Sequence, residues 1–261
     1  MGYQLISNGR LGYLLLSSDK VGYQLTSIDI MGYLWLSGNT MGHSLILRDR
    51  MGISSYRMGY KVSNLMRSSL YVLANLENEF KHVTCGSAVK LLNPYHRVRL
   101  HSHEVKYGSG SGQQSVTGVG NQDDINSLWI VKGKTGMPCR RGNAVKCGST
   151  IRLVHQTTKR FLHSHLFQSP LSNNQEVSAF GENGVGDDGD HWSVICTSKY
   201  WNRDDKVRFK HTLTKKYLHI SGDTFGRPIS GQSEISAYTH TEPGNEWQSM
   251  EGVYIQANSD K

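Results

Sequence analysis

No stretch of about 18 consecutive apolar residues occurs in this sequence, so a membrane-spanning helix is excluded. Proline is scarce, with 5 residues in 261, and charged residues make up only 19%. The cysteines, of which there are 4, never stand as Cys-x-x-Cys, which removes the thiol-redox and zinc-ribbon spacings. No Gly-x-Ser-x-Gly elbow is present, so an esterase-type nucleophile has no turn to sit on. The acidic run Gly186-Asp187-Asp188-Gly189-Asp190 lacks the alternating ligands and late glutamate of a calcium loop and reads as a solvated loop. Gly108-Ser109-Gly110-Ser111-Gly112 is followed by no Gly-Lys-Ser/Thr and reads as a flexible turn, not a phosphate cradle. Nothing in these patterns argues for an enzyme, a metal site or a cofactor.

What is abundant is glycine, at 28 residues, beside 37% hydrophobic residues. Glycine inside a helix costs about 1 kcal/mol relative to alanine, so this composition favours strands and turns. The net charge is +8, and from residue 84 onward 21 Lys and Arg face 16 Asp and Glu. A basic field attracts nucleic acid or sulfated glycan. No clustered basic stripe with interleaved aromatics supports either, and nucleic acid is not an expected partner.

The chain carries two different repeats. In the first sixty residues Met1-Gly2-Tyr3 returns in register as Leu11-Gly12-Tyr13, Val21-Gly22-Tyr23, Met31-Gly32-Tyr33, Met41-Gly42-His43 and Met51-Gly52-Ile53. A period of ten fits no helical stripe but keeps strand parity. A short β-solenoid is one reading; with few large apolar side chains per copy and no caps, the favoured reading of residues 1–83 is a disordered low-complexity tract. No secretory leader, myristoylation site or retention signal can be read in the chain.

The second repeat is longer. Val89-Lys90-Leu91 returns as Ile151-Arg152-Leu153 and Val207-Arg208-Phe209. Leu100-His101-Ser102-His103 returns as Leu162-His163-Ser164-His165 and Leu218-His219-Ile220-Ser221. Gln114-Ser115-Val116-Thr117 matches Gln175-Glu176-Val177-Ser178 and Ser233-Glu234-Ile235-Ser236, and Trp129, Trp192 and Trp247 close the series. Each landmark alternates as a half-buried strand between turn-forming stretches. Three units of four strands must hide their edges, and an all-β, pseudo-threefold β-trefoil does so. The expected domain spans 84–255, with repeats at about 84–138, 139–197 and 198–255 and a tail at 256–261.

Repeat alignment also suggests how the cysteines pair. Cys85 and Cys147 occupy equivalent positions at the start of the first two units, and Cys139 and Cys196 lie near their ends. In a trefoil the first and last strands of a unit approach, so Cys85–Cys139 with Cys147–Cys196 is preferred among three connectivities. The pairs His101/His103 and His163/His165 point two rings to one strand face, a zinc-like spacing. No third ligand accompanies either pair at fixed spacing, so they are read as structural, as are His155 and His211.

The strings Thr84-Cys85-Gly86-Ser87-Ala88-Val89-Lys90-Leu91-Leu92-Asn93, Val98-Arg99-Leu100-His101-Ser102-His103, Tyr107 to Val119, Asn174 to Gly181 and Gly226-Arg227-Pro228-Ile229-Ser230-Gly231-Gln232 resemble the stromal cell-derived factor two family of MIR-repeat proteins. The resemblance spans about 84–255. It implies a non-catalytic protein of the endoplasmic reticulum lumen that serves protein folding quality control and the unfolded protein response. It implies a chaperone complex with a lumenal J-domain co-chaperone, BiP and unfolded polypeptides as partners. The alternative reading is a lectin-like, glycan-binding trefoil. Tyr107, Phe167 and Phe225 are the candidate ligand or partner residues, an aromatic after the histidine segment of each unit.

Overall fold

The computed structural model describes residues 80–182 and 184–258 with their side chains and, within 2–57, the backbone of six strands. The chain divides into two compact units, 1–75 and 76–261.

The first unit contains β1 (Gly2–Ser7), β2 (Arg10–Leu16), β3 (Gly22–Ser27), β4 (Ile30–Asn39), β5 (Gly42–Asp49) and β6 (Gly52–Arg57). Each strand pairs with the next, giving an antiparallel meander. In the register, Tyr3 stands opposite Leu14 and Tyr13 opposite Gln4.

The second unit is all-β. Its strands are β7 (Ala88–Asn93), β8 (Val98–Lys106), β9 (Gln114–Val119), β10 (Trp129–Gly133), β11 (Thr150–His155) and β12 (Phe161–Gln168). They are followed by β13 (Gln175–Phe180), β14 (Trp192–Ile195), β15 (Arg208–His211), β16 (Tyr217–Thr224), β17 (Ser233–Tyr238) and β18 (Gln248–Val253). Strands β10, β11, β14 and β15 pair in turn, β18 pairs with β7, and β7 pairs with β10. The gap between β15 and β18 is bridged by Val207 opposite Trp247. The ring is therefore closed, which removes exposed strand edges. Over one end β9, β13 and β17 pair with one another, each extended by a hairpin partner, β8, β12 and β16. At another level Val83, Val145 and Trp201 form a cyclic set of backbone bonds. Val83 N donates to Trp201 O (2.8 Å), Trp201 N to Val145 O (2.8 Å) and Val145 N to Val83 O (3.0 Å).

The alternating landmarks turn their apolar residues inward. Val89, Leu91, Leu100, Val116 and Trp129 are buried, as are Ile151, Leu153, Leu162, Val177 and Trp192, and Val207, Phe209, Leu218, Ile235 and Trp247. Each tryptophan buries a large apolar surface and places its indole N–H on one carbonyl. Trp129 donates to Leu100 (2.9 Å), Trp192 to Leu162 (2.9 Å) and Trp247 to Leu218 (3.1 Å). Gly118, where the other two segments carry Ala179 and Ala237, has no room for more. A Cβ there would lie 2.9 Å from the Val98 side chain and 3.3 Å from that of Ile220.

Candidate functional surface

The cysteines pair as Cys85–Cys139 and Cys147–Cys196, each tying the start of a segment to its end. Disulfides persist in oxidising compartments, so the two bonds fit a protein of the secretory pathway. No helix among the described residues is long and apolar enough to cross a membrane.

The histidines do structural work in three matching places. A short 3-10 turn precedes each core tryptophan, at Ile125–Ser127, Asp188–Asp190 and Pro243–Asn245. Into each turn projects the first histidine of the second landmark. His101 Nδ1 meets Asp124 Oδ2 at 2.7 Å, His163 Nδ1 meets Asp190 Oδ1 at 3.0 Å and His219 Nδ1 meets the Asn245 amide at 3.4 Å. The rings lie so close to the turn backbone that a Cβ at Gly189 or Gly244 would fall 2.3 or 2.6 Å from the histidine Cε1. Only glycine leaves that space. The sequence reading saw no third partner for the histidine pairs; Asp124 and Asp190 are those partners, brought near by the fold from more than twenty residues away. Within the run 186–190, Asp187 and Asp188 are exposed as a solvated loop would have them, and only Gly189 and Asp190 are buried. Asp190 is fully buried, and burial pushes its carboxyl above the usual range.

His163 Nδ1 and the carboxylates of Asp187 and Asp190 lie within 4.8 Å of one another, the spacing of a metal-binding group. Their polar atoms are already used within the protein. Asp187 N donates to Asp190 (2.9 Å), Gly189 N donates to Asp187 (2.8 Å) and His163 holds Asp190. The third segment builds a matching contact with neutral Asn245. A structural role accounts for the group without an ion.

A second set links neighbouring segments. His155 Nε2 donates to the Asn126 carbonyl (2.8 Å), and His211 Nε2 donates to the Gly189 carbonyl (2.9 Å). Asn93, the matching residue of the first segment, donates its side-chain amide to the Pro243, Gly244 and Glu246 carbonyls at 3.1, 3.1 and 2.9 Å. The other nitrogen of each ring takes the backbone N–H of Thr158 (3.3 Å) or Thr214 (3.5 Å). Both nitrogens of the neutral ring are therefore engaged, one as donor and one as acceptor. Burial pushes His155 and His211 down to about 4, although each bond to a carbonyl works in the opposite direction. His219 is likewise pushed to about 4 by burial and by His96.

Glu176 and Glu234 are fully buried carboxylates in the third landmark. Each clamps the hairpin loop of the preceding segment. Glu176 accepts from Ser111 N (3.1 Å), from the Ser111 hydroxyl and from His165 Nε2 (2.9 Å). Glu234 accepts from the amides of Leu171 (2.7 Å) and Ser172 (3.0 Å). Backbone N–H groups thus satisfy side-chain oxygens that burial takes from water. A single glutamate in a strand gave no sequence signal for this.

The three candidate aromatics do not form one kind of site. Tyr107 is buried, and its hydroxyl lies 2.9 Å from the carbonyls of Val116 and Val177. It is a core residue and offers no surface. Phe167 is half exposed and packs on His165, with ring centroids 4.8 Å apart. It does not match Tyr107. The matching residue is Ser169, whose N–H bonds Asn174 O as Tyr107 bonds Gln113 O and Phe225 bonds Gln232 O. Phe225 is partly buried and faces Tyr107, with centroids 6.2 Å apart.

The MIR domain family matches residues 90–200, so the second unit is that of a MIR-domain β protein. Human stromal cell-derived factor 2 is 58% identical over 173 residues, covering 66% of this chain and 82% of the relative. The crystal structure of the SDF2-like protein of Arabidopsis thaliana overlays with a TM-score of 0.66 at 47% identity, covering 68% of this chain and 99% of that one. The chain belongs to the stromal cell-derived factor 2 family. A more distant likeness, at 25% identity and a TM-score of 0.61, is to an S. cerevisiae protein O-mannosyltransferase complex bound to the sugar donor; it covers 69% of this chain and 27% of that chain.

Proposed function

We propose that the closed second unit is a β-trefoil of three MIR repeats, and that the protein is a non-catalytic subunit of a chaperone complex in the endoplasmic reticulum lumen. In that complex it joins a lumenal J-domain co-chaperone and BiP and aids the folding of unfolded polypeptides. Family membership, with 82% of the human relative covered at 58% identity, is the observation that carries this reading. The matching tryptophan and histidine contacts support the threefold arrangement, and the glutamate clamp recurs in two of the segments. They also give structural duties to Asp124, Asp190, Glu176 and Glu234, which leaves the surface as the place for partners. The two disulfides agree with the lumen. Expression of the tagged chain in cells, followed by protease protection of microsomes and co-precipitation, tests the proposal. The expected result is a protected protein that brings down the J-domain co-chaperone and BiP; a cytosolic, protease-sensitive protein without either would refute it.

Glycan binding is the second reading, favoured by the likeness to the mannosyltransferase complex. It is weakened because one of its three aromatics, Tyr107, is enclosed and Phe167 lies out of step with the other two.

A further inference from the structure

Between Asp124 and Glu176 the chain carries eight Lys and Arg and no Asp or Glu. In sequence these charges look scattered; the fold gathers several of them. Lys132 on β10 lies directly opposite Arg152 on β11, two like charges side by side on a strand pair. Arg152 is fixed in place by a bond from Nε to Gly133 O (2.9 Å) and by the Phe161 ring 4.7 Å away. The loop after β10 then folds back on its own root. A Cβ at Gly133 would lie 2.5 Å from Met137 O and 2.7 Å from Cys139 Cβ, so Lys134 and Arg140 both flank the Lys132 strand end. The Cys85–Cys139 disulfide pins this return, and Gly142 N bonds Cys85 O at 3.0 Å. The Arg141 carbonyl is held by Asn258 (3.0 Å). Lys132, Lys134, Arg140 and Arg141 are exposed.

The charges share a field. His191, near Lys134 and Arg152, is held below its usual range mainly by burial; Asp188 and Asp190 pull it up, and Arg152 and Lys134 push it down. Asp188 itself is exposed and borders the patch. Like charges held together on a rigid loop cost stability unless a counter-charge arrives. In the same loop Met137 is 68% exposed. An exposed methionine among cations suits a partner that brings apolar side chains as well as negative charge, which a polypeptide does and a nucleic acid or sulfated glycan does not.

We propose that the basic face built from the exposed Lys132, Lys134, Arg140 and Arg141 beside the half-buried Arg152, with Met137 in its loop, docks an acidic polypeptide segment that also carries apolar residues. This surface goes beyond the J-domain reading and stands whether or not that reading holds. The test is fluorescence anisotropy with the full chain and a labelled peptide of alternating Glu-Glu and Leu-Asp units. A Lys-for-acid version of the peptide, a heparin oligosaccharide and a single-stranded oligonucleotide serve as competitors. The triple variant Lys134→Glu/Arg140→Glu/Arg141→Glu is expected to weaken peptide binding about tenfold or more, and Met137→Ser to weaken it roughly threefold. Lys81→Glu/Lys106→Glu/Lys215→Glu changes the net charge equally at other exposed sites and should stay within about twofold of the parent. Near-ultraviolet circular dichroism checks that each variant is folded. Absence of peptide binding by the parent chain, or equal loss in the two triple variants, overturns the proposal. So does tighter binding of heparin or oligonucleotide that ignores Met137.

Discussion

Acid should loosen this barrel through its buried histidines. His155, His211 and His219 are buried and pushed down to about 4, whereas an unfolded chain holds its histidines near 6.5. A depressed histidine contributes stability that is complete above the unfolded value and is lost as pH falls toward the folded one. Within that window each such group costs about 1.4 kcal/mol per pH unit, since the unfolded chain binds the extra proton. From pH 7 to pH 5 this is about 2 kcal/mol per histidine and about 5–6 kcal/mol for three, an upper bound. Half that bound, about 3 kcal/mol, lowers Tm by roughly 6–12 °C in a domain of this size. Asp124 titrates later. Burial raises its pKa, but the Ser127 hydroxyl and His101 outweigh burial and hold it below the usual carboxylate range. Asp190 opposes the trend, because burial lifts its pKa and protonation relieves a buried charge. Differential scanning calorimetry between pH 7.5 and 5 reads the slope. The double variant His155→Asn/His211→Asn copies Asn93 of the first segment, so it should stay folded, lose about 1–3 kcal/mol per site at pH 7.5 and show a much flatter acid slope. An unchanged slope in that variant would refute the reasoning.

Much of the second unit was legible in the sequence because its signals are local and recur. Val89-Lys90-Leu91 and its two echoes are inward-facing strands, the three tryptophans fill the core, and the four cysteines pair as the alignment suggested. What escaped was long-range and polar. Nothing in a strand sequence tells that Glu176 will close on the amide of Ser111, or that Asp190 will sit under His163. Of the acidic run, only Gly189 and Asp190 are covered, by the His163 ring, while Asp187 and Asp188 stay exposed. The aromatic alignment failed for a plainer reason. Phe167 lies five residues after Leu162 and Tyr107 seven after Leu100, so Phe167 falls two residues before the position that matches Tyr107, in a stretch where the strand register shifts between Ser164 and Gln168.

Three other perturbations follow from the same contacts. Trp192→Phe removes the indole bond to Leu162 and leaves a gap in the core; urea denaturation should show a loss of about 2–4 kcal/mol. Glu234→Gln leaves one side-chain oxygen where two each accept from a loop amide, so hydrogen exchange at Leu171 and Ser172 should speed up about tenfold or more while the barrel amides stay protected. Cys147→Ser/Cys196→Ser opens a link between residues 49 apart and should cost about 2–4 kcal/mol, read as a lower midpoint in guanidinium.

The central claim is that this is a partner-binding chaperone subunit. It is tested most directly by mixing the purified full chain with the lumenal J-domain co-chaperone and measuring the mass of the eluting species by size exclusion with light scattering. The account predicts one co-eluting complex that slows the aggregation of a denatured client more than the co-chaperone alone. Two folded proteins eluting separately at tens of micromolar, with no change in aggregation, would contradict it.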